Sequence, residues 1–126
     1  MEAKEMMIND WLMHNDGTPM QVSVIKKDCF ACSTQPHLYD YNNEFSPITL
    51  TSEILEANRF HRDCANIWEY VGNQYEPLIR FDVEYYCVVI DYDGQYIDSN
   101  IRHVHELQHA LRLCGLDDLA DNFKVE

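Results

Sequence analysis

His105-Glu106-Leu107-Gln108-His109 reads H-E-x-x-H, a spacing with which one helix can hold a zinc ion. Histidines at i and i+4 share a helix face and can both ligate Zn²⁺, while the glutamate activates the metal-bound water for hydrolysis. At roughly 100° per residue, His105 and His109 lie about 40° apart. They fall nearly opposite the stripe Val104, Leu107, Leu111, Cys114, so both rings are expected on the solvent side of an amphipathic helix. A catalytic zinc also needs a third protein ligand. The metzincin continuation would place glycine at 112 and histidine at 115, where this chain has Arg112 and Gly115. After His109 come Asp117, Asp118, Asp121 and Glu126, none on a clear second helix. His103 would project about 160° away from His105 if the helix had already begun there. A small zinc hydrolase, with His105 and His109 on the metal and Glu106 as base, is therefore the alternative reading, and the leading one has no cofactor.

Cys29-Phe-Ala-Cys32 is a C-x-x-C, but its segment reads as a strand rather than the start of a helix. A structural zinc site needs four ligands, and Cys64, Cys87 and Cys114 stand alone. The five cysteines read as reduced thiols, two of them in a buried strand. There is no glycine-rich phosphate loop and no nucleophile elbow.

Nine basic against twenty-two acidic residues give a formal charge of −13. Such a chain repels nucleic-acid phosphates and suits basic partners. From 63 to 100 the acids Asp63, Glu69, Glu76, Asp82, Glu84, Asp91, Asp93 and Asp98 face one base, Arg80. Tyr85, Tyr86, Tyr92 and Tyr96 fall in the same stretch, and tyrosine is favoured at interfaces. The expected partner-binding surface is therefore Asp82, Glu84, Asp91, Asp93, Tyr92 and Tyr96.

The chain has 126 residues, of which 46% are apolar, and suits one α+β domain with a real core. Residues 1–50 form its β-rich half. Strand candidates there are Ile8 to Met13, then Met20 to Val24 with period-two alternation, then Cys29 to Cys32 and His37 to Tyr41, with a turn at Asn15-Asp16-Gly17. They suggest a small curled sheet of the SH3-like barrel kind. Residues 51–60 hold a short helix capped by Thr51, with Ile54 and Leu55 inward and an end near Asn58. Residues 66–98 carry antiparallel strands at Ile67 to Val71, Leu78 to Phe81, Glu84 to Tyr92 and Gln95 to Asp98, with Asp93-Gly94 as a hairpin turn. Tyr85 to Ile90 is apolar on both parities and needs cover on both faces, from the following helix and from the first-half sheet or a second subunit. The C-terminal helix is expected over 101–114, capped by Ser99 or Asn100 and stopped by Gly115.

Three stretches together give the chain a resemblance that covers most of it. They are Ile8-x-Asp10-Trp11 with Gly17-Thr18-Pro19-x-Gln21-Val22, then Ser46-Pro-Ile-x-Leu50-Thr-x-Glu53-Ile-Leu55, then Val104-His-Glu-Leu-Gln-His-Ala-Leu-Arg-Leu-Cys-Gly115. In these the chain resembles a family of small uncharacterised proteins encoded by phages, prophages and mobile elements of gut anaerobes. The resemblance implies an accessory protein of a mobile element in a bacterial cytoplasm, and it carries no catalytic residue or cofactor.

The N-terminal Met1-Glu-Ala-Lys-Glu-Met-Met lacks the apolar core of a signal peptide, and no apolar run approaches membrane-spanning length. The expectation is a cytoplasmic, non-enzymatic protein that binds a protein partner, in one version as an acidic inhibitor of a basic protein. It would bind neither nucleic acid nor membrane directly. A structural or assembly component, self-associating through an uncovered strand face, is a further alternative.

Overall fold

The computed structural model describes residues 5–33, 35–41, 44–72, 78–90, 95–98 and 100–125. The chain is α+β, with two antiparallel sheets and three short helices among the described residues. It divides into two compact units. One runs to Thr49 and takes in His103–His105; the other holds Leu50–Arg102 and the chain from Glu106 onward.

The first unit is built on β1 (Trp11–His14), β2 (Pro19–Ile25), β3 (Cys29–Cys32), β4 (Gln35–Asp40) and β5 (Phe45–Pro47), in the order β4-β3-β2-β1-β5. Alternation sends Met20 and Val22 of β2 and Phe30 and Cys32 of β3 into a core with Met6, Leu12, Tyr39 and Phe45. Tyr39 and Phe45 meet edge to face at 4.9 Å, and Phe30 meets Phe45 at 5.1 Å. The expected Asn15-Asp16-Gly17 turn closes the β1–β2 hairpin, with Gly17 in the left-handed region at φ 90. The strand expected from Ile8 begins only at Trp11. Asn9 takes φ 73, and the Asp10 carboxylate, wholly buried, accepts the Met7 N–H at 2.8 Å, folding the approach into a turn. β5, which is not among the strand candidates of the sequence, pairs with β1 through Met13↔Ser46.

The second unit holds β6 (Phe60–Cys64), β7 (Ile67–Tyr70), β8 (Ile79–Asp82), β9 (Cys87–Ile90) and β10 (Gln95–Asp98), in the order β10-β9-β8-β7-β6. Cross-strand register puts Trp68 opposite Phe81 and Phe81 opposite Val88, a buried apolar row. On the other face Glu69 lies opposite Arg80, and the two make an ion pair at 3.1 Å. Helix α1 (Ser52–Ala57) starts as expected, with the Thr51 hydroxyl accepting the Ile54 N–H at 3.2 Å and Ile54 and Leu55 buried.

Helix α2 (Val104–Leu113) ends in a Schellman motif. Leu116 N–H donates to Leu111, Gly115 N–H donates to Arg112, and Gly115 sits at φ 80. Its start differs from the sequence expectation by three residues. Ile101 donates to the Tyr86 carbonyl, Arg102 accepts from Leu50, and His103 bridges Thr49, so this stretch is extended rather than helical. A further short helix, α3 (Asp117–Asp121), follows where none was clear from sequence. Gln108, wholly buried on α2, donates to the Ala120 carbonyl at 2.9 Å and so fixes α3.

Asn58 fastens the end of α1 to the C-terminal stretch. Its amide donates to the Ile54 and Lys124 carbonyls, both at 2.7 Å, and its carbonyl oxygen accepts the Lys124 N–H at 2.7 Å. Asn58→Ala removes the partner of these buried and part-buried groups and is expected to cost about 1–3 kcal/mol in urea unfolding. The Lys124 amide should exchange faster in the variant; unchanged stability would contradict this account.

Candidate functional site

The H-E-x-x-H helix is turned differently from the sequence expectation. Val104, Leu107, Ala110 and Leu111 are wholly buried, but so is Gln108, and His105 is only 7% exposed. His109 is half-buried. The buried positions span more than half of the helix circumference, so His105 is not on a solvent face. His103 lies before the first helical residue, and its ring stacks near that of His105 at 6.0 Å and 19°, in place of the opposed direction expected of a continuous helix. The Glu106 carboxylate accepts the Arg102 N–H at 3.1 Å, serving the start of the helix. Among the described residues no group of three or more His, Cys, Asp or Glu side chains is placed to hold a metal. Asp121 lies on α3 and faces Arg112 at 3.5 Å.

Cys29 and Cys32 are separated by an odd number of strand positions, so alternation sends them to opposite faces of β3. Cys32 is buried and Cys29 half-buried. Opposite faces preclude both a shared metal and a disulfide. Burial pushes the Cys32 and Cys114 thiols up to about 11.

Of the expected partner-binding residues, Asp91, Tyr92 and Asp93 lie outside the described residues, and Tyr96 is described only as backbone of β10. Asp82 and Glu84 are brought together at the turn between β8 and β9. Asp82 Oδ1 accepts the N–H groups of Glu84 at 2.8 Å and Tyr85 at 3.1 Å. Val83 N–H donates to the Asn66 carbonyl, and the Asn66 amide donates to Glu84 Oε2 at 3.1 Å. Tyr86 holds φ 53, its carbonyl accepts the Ile101 N–H at 2.8 Å, and the Arg102 guanidinium lies 4.0 Å from its ring centroid. Tyr85, at the tip, is 70% exposed. By sequence Tyr85 belongs to a strand needing cover on both faces. The strand instead begins at Cys87, with Val88 buried and Cys87 and Val89 half-buried. The missed signal was Asp82 itself, whose short carboxylate favours a turn two residues on.

Comparison with family models, with curated proteins and with solved structures finds no match for the chain.

Two outcomes test this geometry. Iodoacetamide at pH 8 should label the exposed Cys64 first and leave Cys32 and Cys114 largely unlabelled, their thiolate fraction being on the order of 10⁻³; equal labelling in folded protein would contradict it. Protein purified without chelator should carry far less than one zinc per chain and unfold at the same temperature with and without EDTA. One tightly held zinc lost on His109→Ala would restore the hydrolase reading.

Proposed function

We propose that the protein acts by binding a basic protein partner, without catalysis, and that the turn from Asp82 to Tyr86 is the centre of its contact surface. The observation that carries this reading is Tyr85, a large aromatic side chain 70% exposed on a turn whose backbone is held by Asp82, Asn66 and Ile101. An exposed tyrosine on a preformed loop offers contact area at small entropic cost, the usual chemistry of a binding hot spot. Glu84 beside it is exposed, and the chain carries −13, so a cationic partner surface would be drawn to it. No helix of the described residues is long and apolar enough to cross a membrane. A role as an accessory protein of a phage or other mobile element, in a bacterial cytoplasm, rests on the sequence resemblance in three stretches and belongs to the same proposal.

The partner would be found by cross-linking from Tyr85 replaced with a photoreactive phenylalanine, then purified for calorimetry. Tyr85→Ala should weaken that complex by about 2 kcal/mol, and Glu84→Lys should flatten the fall of log affinity with log salt. A complex indifferent to both substitutions and to salt would overturn the proposal.

A further inference from the structure

The second unit contains a cleft of ≈ 450 Å³ lined in part by Asn58, Arg59, Tyr70, Asp118, Leu119 and Lys124. That volume lies within the roughly 300–1,000 Å³ of small-molecule sites. Its lining carries two cations, Arg59 and Lys124, against one carboxylate, Asp118, a formal +1 on a chain whose total is −13. Lysine and arginine are scarce in this protein, nine in all, and two of them meet here.

Arg59 breaks a local rule to be in this position. It follows the C-cap Asn58 of α1 and holds φ 71, the left-handed region in which a Cβ is strained and glycine is favoured. At the corresponding position after α2 the chain does use glycine, Gly115 at φ 80. The strained Arg59 backbone sets its guanidinium 5.8 Å from the ring centroid of Tyr70, which is itself 1% exposed and therefore fixed. The Lys124 backbone is held in turn by Asn58 through both its N–H and its carbonyl. Both cations are exposed side chains, Lys124 on backbone tied to Asn58 and Arg59 beside the Tyr70 ring. Strain retained where glycine would relieve it points to a use for the side chain.

We propose that this cleft binds a small organic oxyanion, its phosphate or carboxylate taken by Arg59 and Lys124 and its apolar part resting against Leu119. A guanidinium suits such a group because its planar fork donates two parallel hydrogen bonds to two oxygens.

Amide chemical-shift titration of the full chain with phenyl phosphate, benzoate and inorganic phosphate tests it. Saturable shifts at Asn58, Arg59, Leu119 and Lys124 are expected with phenyl phosphate or benzoate, whichever binds more tightly naming the group, and weaker ones with inorganic phosphate. Arg59→Gly should weaken that binding about tenfold or more, through loss of a charge-assisted pair. It should also leave the protein at least as stable, because the glycine relaxes φ. Lys124→Gln should weaken binding without moving the unfolding midpoint. Absence of saturable shifts with either aromatic anion would overturn the proposal. So would unchanged binding in Arg59→Gly, and so would a loss of stability there without a loss of binding, which would reduce Arg59 to a packing role on Tyr70.

Discussion

Complete burial of Val104, Leu107, Ala110 and Leu111 is the constraint to which the rest of helix α2 is fitted. Four side chains with no water contact cannot be rotated out without opening apolar surface, at about 25 cal/mol per Å². Once they are fixed, the helix period decides everything else on it. Gln108 falls inside and must find a partner, which the Ala120 carbonyl supplies. His105 falls inside with it, and Glu106 is left at the first turn, where it serves the Arg102 N–H. Three residues of the H-E-x-x-H segment, His105, Leu107 and Gln108, are thus buried by the packing of the helix.

The apolar stripe was legible because 3.6-residue periodicity is a property of the sequence itself. Its breadth was not. A stripe of Val, Leu and Cys does not reveal that a glutamine and a histidine beside it are also covered, since that depends on what packs there. The strands followed the same division. β2, β3, β7 and β8 alternate and were readable, because burial on one face imposes period two. β6 buries only Phe60 and exposes His61, Arg62, Asp63 and Cys64, so it has no pattern to read; pairing with β7 makes it a strand. β5 is three residues long and is a strand through its pairing with β1.

The two helix ends set by local chemistry, Thr51 before α1 and Gly115 after α2, were expected and stand where expected. The start of α2 was misplaced because Ile101, Arg102 and His103 spend their backbone groups on Tyr86, Leu50 and Thr49, distant in sequence. The acidic turn divides in the same way between what charge reveals and what local bonding decides. Asp82 and Glu84 were named from charge alone, whereas the exposure of Tyr85 came from Asp82 folding the chain back on itself, a local bond hidden behind an apolar run.

Orientation of α2 decides between a structural and a catalytic reading of its histidines, and chemical footprinting reads that orientation directly. Brief treatment of the native protein with diethyl pyrocarbonate, followed by mass spectrometry, should modify the exposed His37 and His61 and spare His105 until the chain is unfolded. Modification of His105 as fast as His37 and His61 in the folded protein would show an outward-facing ring and contradict the account.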